Sequence, residues 1–424
     1  MRPWTRGCPM PDTTAVPQQA KDSPQSAVRS YWRVVLDRSV RPLLVRASLA
    51  YIALLLFLAV FVPFIANAHP YSIMLKNPTG GYSHAYPLFA DLTTTDINML
   101  LAGAGLLVCI SMRLLIPPSA ANGTRNWRRT GILWAVGLTL TGCLAVTYLH
   151  HNFLDSRDYR QLLRTGQAKA AIMAPIPWGY ATMEPLEKDL VNKRPMPGHL
   201  LGTDGLGRDE LARLLWSARV AMGIGFISQF IALTIGILVG AIMGYFSGVM
   251  DILGMRLVEI VESVPTFFLI LTFVATFGRS ITLIMIILGI TGWTGYARLL
   301  RGEFFRIRSL DYVTAAHASG APLWRILFRH MLPNGLTPVL VSASFGLAGA
   351  VTIESSLSYL GVGVRPPTPS WGQMLNAAGN PATVFRWWQA LGPGMALFLA
   401  VLAFNLAGES FRDAIDPRNL AKEN

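Results

Sequence analysis

The chain has 424 residues, of which 52% are hydrophobic and only 14% are charged. Because soluble globular proteins carry charge on about 25% of their residues, this composition argues against that class and predicts a membrane protein. The net charge of +13 does not indicate a nucleic-acid partner, since the arginines stand beside apolar stretches rather than along one stripe. The three cysteines, Cys8, Cys109 and Cys143, form neither a disulfide framework nor a paired metal motif.

The N-terminal region, residues 1–45, is rich in Pro, Gln and Ser and ends in an arginine collar. We interpret it as a cytoplasmic tail, because basic residues beside a membrane helix remain in the cytoplasm. The first membrane helix is predicted over 46–66. The following Ala66-Asn67-Ala68 is compatible with a signal-peptidase site. An uncleaved anchor is favoured, because the leader and the apolar run are both too long for a signal peptide.

A membrane hairpin is predicted over 97–149, after an outer loop at 67–96. Its two apolar runs enclose three arginines at 125–129, which we place in the cytoplasm. Residues 150–217 then form an outer segment of mixed charge, and a loop of this length escapes the positive-inside rule.

Five further apolar runs bring the predicted total to eight spans, at 220–246, 257–277, 281–299, 336–360 and 391–408. They belong to a membrane domain at 218–412. Its loop 303–335 is strongly basic and is therefore predicted to be cytoplasmic, as is the C-terminal segment 413–424. The predicted fold is an all-α integral membrane protein, a polytopic helical bundle with both termini in the cytoplasm.

Glycine recurs at every fourth position around the fourth span: Gly236, Gly240, Gly244 and Gly248. This spacing predicts a bare stripe on one helix face. In membranes such stripes allow helix backbones to approach closely, so we predict a packing surface rather than a site of chemistry.

The basic loop predicts two short helices. Gly320 suits the left-handed residue that ends the first, and Pro322 suits the opening turn of the second. One aromatic and three small side chains share a face of the first helix: Tyr312, Ala315, Ala316 and Ser319. A helix lying on lipid would carry Leu or Phe on that face, with Lys or Arg opposite. The small side chains therefore favour docking of a protein.

The same loop resembles the signature loop of binding-protein-dependent importer permeases, in its Ala-Ala pair, the glycine four residues later and the terminal Leu-Pro. In that family the loop forms a coupling helix that inserts into a groove of a cytoplasmic ATPase. The resemblance assigns ATPase coupling to ten residues: Asp311, Tyr312, Ala315, Ala316, Ser319, Gly320, Arg325, Leu332, Pro333 and Asn334. The family signature usually begins with Glu, where this chain has Thr314.

Three more segments, 199–209, 357–372 and 413–418, are similar to the dipeptide, oligopeptide and nickel permeases of this family. The resemblance covers 195–418 and implies the second, C-type permease subunit, whose usual six spans are here joined by the inserted hairpin at 97–149. A faint similarity of the outer loops to those of peptide permeases makes peptides the favoured solute.

The first of these segments contains a predicted outer-face motif: Gly202, Thr203, Asp204, Gly207, Arg208 and Asp209. Its charged residues are types used in acid–base chemistry or metal binding. A local turn with an ion pair, which orients the chain at the start of the bundle, is the favoured interpretation. The histidines and aspartates at 150–158 and His199 lack metal-ligand spacing and are interpreted as ordinary loop residues.

Three acidic residues lie in predicted spans: Glu259, Glu262 and Glu354. Intramembrane carboxylates usually face the bundle interior or a water-filled path, which allows a pore or gating role. Pairing with Arg256 or Arg298 is an equal alternative. A proton-driven transporter that uses these carboxylates remains a rival interpretation, as does an intramembrane enzyme, although neither has a recognised motif.

The sequence contains no phosphate-binding loop, because none of its six lysines follows a glycine. The chain is therefore predicted to be a non-catalytic transport subunit that binds no metal or cofactor, with ATP and Mg held by partner subunits. The resemblance implies a bacterial inner-membrane location among lipid. It also implies three kinds of protein partner: two cytoplasmic ATPase subunits, a homologous second permease and an extracytoplasmic solute-binding protein.

Overall fold

The computed structural model describes residues 39–40, 42–76, 81–115, 122–150, 157–183, 190–379 and 385–415. The predictions on the tail at 1–38, on His151 and Asp155, and on the last residues, 416–424, lie outside the described residues.

The first half of the chain combines long helices with a small β-sheet. Its elements are, in chain order, α1 (Leu43–Ile65), β1 (Ser72–Lys76), β2 (Tyr82–Ala85), α2 (Pro87–Ala90), α3 (Thr94–Leu115), α4 (Asn122–Leu149), α5 (Tyr159–Arg164) and β3 (Ala168–Ile172). Strand β1 pairs with both others in the antiparallel order β2-β1-β3. The outer loop 67–96 and the outer segment 150–217 thus contain strands that the sequence did not predict. The strands are four or five residues long, and β3 joins from far along the chain, so no local pattern indicated the sheet.

The second half is helical, with elements α6 (Glu210–Phe246), α7 (Gly248–Ser263), α8 (Thr266–Phe277), α9 (Ile281–Arg308), α10 (Asp311–Ala318), α11 (Leu323–Arg325), α12 (Leu332–Tyr359), α13 (Trp371–Gly379) and α14 (Trp387–Ile415). In the described part of the chain, seven helices are long and apolar enough to cross a membrane, or eight if the bent pair α7–α8 is one span. The predicted bundle of about eight spans is confirmed.

The fifth predicted span, 257–277, is not one straight helix. Helix α7 ends at Ser263 and α8 begins at Thr266, with a bend of 68° between them. Pro265 has no N–H to donate, and a residue before proline is disfavoured in a helix. Val264 accordingly adopts an extended conformation, with φ −99° and ψ 114°. The apolar length predicted the span, but the proline breaks it.

The second short helix of the basic loop is not a separate helix. Helix α11, the π-helical segment Ile326–Met331 and α12 form one stretch from Leu323 to Tyr359. Pro322 stands at the N-cap of this stretch and not in its first turn. The prediction of a break failed because the wide π turn, in which the Leu332 N–H bonds to the Leu327 carbonyl, carries the helix past Pro333.

The predicted glycine stripe packs α6 directly against α9. A Cβ atom at Gly240 would lie 2.6 Å from the Ala297 carbonyl oxygen, and one at Gly244 would lie 2.5 Å from the Phe304 Cβ. Gly236 meets the same helix in the same way. Gly248 does not belong to the stripe, because α6 has already ended and Gly248 begins α7 with a φ of +58°.

The hairpin of α3 and α4 is attached to α6 at its open end. Asp96, in the first turn of α3, forms a buried ion pair with Arg219 of α6. Thr93 and Asp96 also cap α3 reciprocally: the Thr93 N–H donates to Asp96 Oδ2 at 2.7 Å, and the Asp96 N–H donates to Thr93 Oγ1 at 3.3 Å. The hairpin therefore begins at a fixed point on the core.

Candidate functional site

Residues of the predicted outer-face motif and of the predicted coupling loop, together with neighbours that the sequence did not indicate, form two groups near opposite ends of α6. The α6-start cluster consists of His199, Thr203, Asp204, Arg208, Asp209 and Arg213. The α10 surface consists of Ala315, Ser319, Gly320, Trp324 and Phe328. Helix α6 has 37 residues, so its ends are about 55 Å apart at 1.5 Å per residue. The hydrocarbon layer is about 30 Å thick. A membrane spanned by α6 therefore separates the two groups.

Helix α10 ends in the way its sequence predicts. Gly320 has a φ of +72°. The Gly320 N–H donates to the His317 carbonyl at 3.0 Å, and the Ala321 N–H donates to the Ala316 carbonyl at 3.1 Å. These two bonds are a Schellman motif, in which a left-handed glycine satisfies the last helix carbonyls. The chain consequently turns sharply and leads directly into α11.

A single buried side chain anchors α10 to the bundle. Val313 is fully buried, within a cluster that includes Phe304 and Ile326. Of the ten residues predicted to couple, eight are exposed: Asp311, Tyr312, Ala315, Ser319, Gly320, Arg325, Pro333 and Asn334. The other two, Ala316 and Leu332, are half-buried and pack against the same cluster. One face of α10 is therefore open.

Two aromatic residues extend this open face, and the sequence interpretation missed them. Trp324 is 62% exposed and Phe328 is 60% exposed. They stand four positions apart, in α11 and in the π segment that follows, so they project on one side. Their spacing within a basic segment was the available signal. The pair was not recognised because the sequence predicts a short helix that ends before the next span, whereas the structure has one continuous helical stretch there.

Polar contacts fix both ends of α10. At its start, Asn334 Nδ2 donates to the Tyr312 hydroxyl at 3.1 Å and to the His330 carbonyl at 2.9 Å. At its end, His317 Nε2 lies 3.1 Å from the Tyr245 hydroxyl, and the two rings are stacked with centroids 6.1 Å apart. Helix α10 is thus joined to the start of α12 and to the end of α6.

The α6-start cluster is organised by Asp204. Its Oδ1 accepts the backbone N–H groups of Leu206 and Arg208 at 2.8 and 2.9 Å. Its Oδ2 accepts the Arg208 guanidinium at 2.7 Å and lies 3.6 Å from Arg213 Nε. The predicted turn with an ion pair is present. All three charged side chains are nearly inaccessible to solvent.

Asp209 connects this turn to the start of α6. Its Oδ1 caps the helix by accepting the Ala212 N–H at 2.7 Å, and its Oδ2 lies 2.8 Å from His199 Nδ1. His199 also stacks on Trp178, with ring centroids 4.5 Å apart. His199 is buried and is therefore not the ordinary loop residue that was predicted. Its separation of ten residues from Asp209 gave no local signal.

Two left-handed glycines, Gly202 and Gly207, shape the segment around the buried Thr203. A Cβ atom at Gly202 would collide with the Lys193 carbonyl oxygen. Gln389, in α14, donates to the Thr203 carbonyl at 2.7 Å. Gln389 and Arg213 are members of this network that the sequence did not reveal, because their partners come from distant segments.

The chemistry available in the α6-start cluster is limited. The carboxylates of Asp204 and Asp209 bind guanidinium, imidazole or backbone N–H groups of the same chain. Glu210, the next residue, is also buried, and its Oε2 has no hydrogen-bond partner among the described residues. Within the described residues, no group of three or more His, Cys, Asp or Glu side chains is arranged to hold a metal ion. The arrangement supports a structural role.

Comparisons with known proteins identify the family of this chain. Residues 236–420 match the family model for the binding-protein-dependent transport system inner membrane component. The chain is 36% identical to a glutathione transport system permease protein, GsiD, of Pectobacterium atrosepticum, over 54% of this chain and 76% of that protein. The chain therefore belongs to the family of binding-protein-dependent transport system inner membrane components, which are permeases. It is also 37% identical to the oligopeptide transport system permease protein OppC of Haemophilus influenzae, over 57% of this chain and 79% of that protein.

A solved structure of the MetNI methionine ABC transporter, in an inward-facing conformation, aligns with this permease at a TM-score of 0.41 and 17% sequence identity. The alignment covers 48% of this chain and 97% of that one.

The three acidic residues of the predicted spans have different surroundings in this permease. Glu259 pairs with Arg256 at 2.5 Å on the same turn of α7, and Glu262 pairs with Arg298 of α9 at 2.6 Å. All four side chains are exposed. The pairing alternative thus describes the contacts that are present, while a pore or gating role for Glu259 and Glu262 stays a prediction.

Glu354 lies near the end of α12 and is 1% exposed. Its Oε1 accepts the Ser358 hydroxyl at 2.7 Å, and its Oε2 accepts the Ser355 hydroxyl at 3.3 Å. Ser358 Oγ in turn accepts the Val364 N–H at 3.2 Å. Through Ser358, Glu354 therefore holds the chain that follows α12. This part of the chain belongs to the segment 357–372, which resembles the permease family in sequence.

Proposed function

We propose that this permease is a subunit of an ATP-driven importer of peptides in a bacterial inner membrane. In this proposal it forms part of the translocation path and couples to ATPase subunits in the cytoplasm. Relatives named for the transport of oligopeptide and glutathione support the class of solute. The proposal adds two points to the family assignment: ATP hydrolysis drives the import, and the imported solutes are peptides.

The observation that carries the proposal is the open α10 surface. Small side chains at Ala315, Ser319 and Gly320 allow a partner backbone to approach closely. The exposed rings of Trp324 and Phe328 supply apolar area of the kind that anchors interfaces. Because the sequence lacks a phosphate-binding loop, ATP must be bound by a partner. We place one of the importer's two ATPase subunits against this surface.

The basic loop that contains α10 and both chain termini are placed in the cytoplasm, in accordance with the positive-inside rule. The α6-start cluster then faces the outside. We propose that a solute-binding protein docks near it, and that a homologous second permease completes the path. The paired Glu259 and Glu262 are candidates to line that path, because exposed charges are costly against lipid.

The test is affinity purification of the tagged chain from its own host in mild detergent, with mass spectrometry and an ATPase assay on the eluate. We expect ATPase subunits and a second permease to co-purify. The Ala315→Glu variant should lose the ATPase subunits, because docking would bury its carboxylate without a partner. Ala316 is less suitable for this test, since it is half-buried and its replacement would also disturb the bundle.

Thr314→Glu is the matched control, because it adds the same charge at the neighbouring exposed position. Normal ATPase retention and transport by Ala315→Glu would contradict docking at the α10 surface. Recovery of the wild-type chain alone, able to move solute in proteoliposomes on a proton gradient, would replace the proposal with a secondary transporter. Uptake of a labelled tripeptide, compared with methionine or a nickel chelate, tests the peptide assignment separately.

A further inference from the structure

Helix α10 bridges two membrane helices that are far apart in the sequence. It follows α9 directly, yet its side chains reach forward to α12 and back to α6. Val313 is the buried apolar side chain of α10. In the described part of the chain, the side-chain hydrogen bonds from α10 to other helical segments all involve Tyr312 or His317. With Val313 as a single anchor, α10 could tilt about that point. Two polar contacts, one on each side of Val313, remove this freedom.

The contact with α12 is centred on Asn334. Its amide donates to the Tyr312 hydroxyl and to the His330 carbonyl, so one side chain ties α10 to the first turn of α12 and to the π segment before it. The Tyr312 hydroxyl also approaches the His330 carbonyl, at 3.5 Å. The contact therefore joins α10 to α12 at the point where the π turn makes that helix irregular.

The contact with α6 is centred on Tyr245. Besides the Tyr245–His317 hydrogen bond and stacking, the Tyr245 carbonyl accepts Arg308 Nη1 at 2.9 Å. The same Arg308 nitrogen donates to Ser247 Oγ at 2.9 Å. The end of α6 is thus held to the end of α9 and to α10 together. Because α6 packs on α9 along the glycine stripe, this end is part of the packed core of the bundle.

We propose that the Tyr312–Asn334 and Tyr245–His317 contacts are transmission links, which convert a push on α10 into joint movement of α12 and α6. Asn334, Tyr312, Tyr245 and His317 are positioning residues in this role. They act through α10 and do not hold the ATPase themselves. The inference rests on the proposed coupling of α10 to an ATPase, and it adds the route by which the movement enters the bundle.

Geometry distinguishes these links from the docking face. The small residues Ala315 and Ser319 and the rings of Trp324 and Phe328 have no hydrogen bond to another helix among the contacts described, and their faces are exposed. The hydrogen-bonding groups of Asn334 and His317 instead point to partners in the same chain. Loss of a link should therefore leave docking intact while it loosens the connection between ATP hydrolysis and helix movement.

The experiment uses the whole importer, purified as a complex and reconstituted with its binding protein. ATP hydrolysis and solute uptake are measured in the same proteoliposomes, and the quantity compared is solute transported per ATP hydrolysed. The variants are Tyr312→Phe and His317→Phe, which keep an aromatic ring, and Asn334→Ala. Ser309→Ala is the matched control, because its hydroxyl bonds only to the Arg306 carbonyl in the same loop.

We expect each single variant to retain its ATPase subunits and to lower solute transported per ATP about fivefold, the factor that one hydrogen bond of typical strength represents. Tyr312→Phe combined with Asn334→Ala should be no worse than either alone, because they break the same link. Asn334→Ala combined with His317→Phe should multiply the losses, because the links are separate.

Either of two results would overturn the inference. One is that every variant transports as much solute per ATP hydrolysed as Ser309→Ala does. The other is loss of ATPase subunits from the variants, which would make these side chains part of the docking site. If Asn334→Ala lowers the yield of the complex, Tyr312→Phe decides the question, since it removes only one hydroxyl. Absence of ATPase subunits from the wild-type complex would refute the proposed function instead.

Discussion

The α6-start cluster and the α10 surface are attached to the two ends of one helix, yet they use their residues in opposite ways. In the cluster, Asp204, Asp209 and Arg213 are buried, and their charges are satisfied within the chain. On the α10 surface, Ala315 and Trp324 are exposed and make no polar contact with the described part of the bundle. A segment whose hydrogen bonds are completed internally can fix geometry, whereas an uncovered segment remains available to a partner.

The largest effect that separates the two regions should come from removing a carboxylate. We expect Asp204→Ala to destabilise the chain by about 4 kcal/mol, because it leaves two buried guanidinium groups and two backbone N–H groups without their acceptor. Asp311→Ala, in the exposed first turn of α10, should cost about 0.5 kcal/mol through the helix dipole alone. Thermal unfolding of the purified protein in detergent measures both.

Asp204→Asn provides an internal check on this first prediction, since the amide oxygen can still accept the two backbone N–H groups. Its stability should fall between that of the wild type and that of Asp204→Ala. Equal stability of Asp204→Ala and Asp311→Ala would show that the α6-start cluster is not the scaffold described here.

A smaller contrast is expected between two left-handed glycines. Gly202 has a φ of +79° and Gly320 has a φ of +72°. A Cβ atom at Gly202 would strike the Lys193 backbone, whereas one at Gly320 would meet nothing within 4 Å. We expect Gly202→Ala to cost about 3 kcal/mol, since overpacking adds to backbone strain, and Gly320→Ala to cost about 1 kcal/mol from strain alone.

The same unfolding measurement tests the glycine contrast, and co-purification adds a second comparison. Gly202→Ala should lower the amount of folded chain but leave the ATPase content of the folded fraction unchanged. Gly320→Ala should give nearly normal amounts of folded chain. Similar losses of stability in both variants would mean that the Lys193 backbone moves aside, which would make the region around Gly202 less rigid than its contacts indicate.

The sequence predicted the features that depend on local patterns. Apolar length predicted the spans, Gly320 predicted the end of α10, and four-residue spacing predicted the packing of Gly236, Gly240 and Gly244. These succeed because each is decided by residues within one or two turns. The break at Pro265 was also a local signal, but it was outweighed by the apolar run on either side.

Features that depend on distant partners were not predicted. His199 bonds to Asp209 across ten residues, Gln389 joins the α6-start cluster from α14, and β3 completes a sheet begun almost a hundred residues earlier. Nothing in the neighbourhood of these residues specifies such partners. The exposure of Trp324 and Phe328 likewise depends on whether α11 continues into α12, which the π turn decides.

The smallest expected effect concerns Thr314. Its side chain is exposed and bonds only to the Asp311 carbonyl of its own helix. Thr314→Glu should therefore change the free energy of unfolding by less than about 0.5 kcal/mol, as substitutions at exposed positions generally do. Retention of ATPase subunits should be unchanged or higher, because an exposed carboxylate can add an ion pair with a cationic partner. If Thr314→Glu instead expelled the ATPase as completely as Ala315→Glu, an added negative charge at either position would be incompatible with docking. Docking would then depend on the whole circumference of the helix and not on the single open face that the contacts of Val313, Tyr312 and His317 leave available.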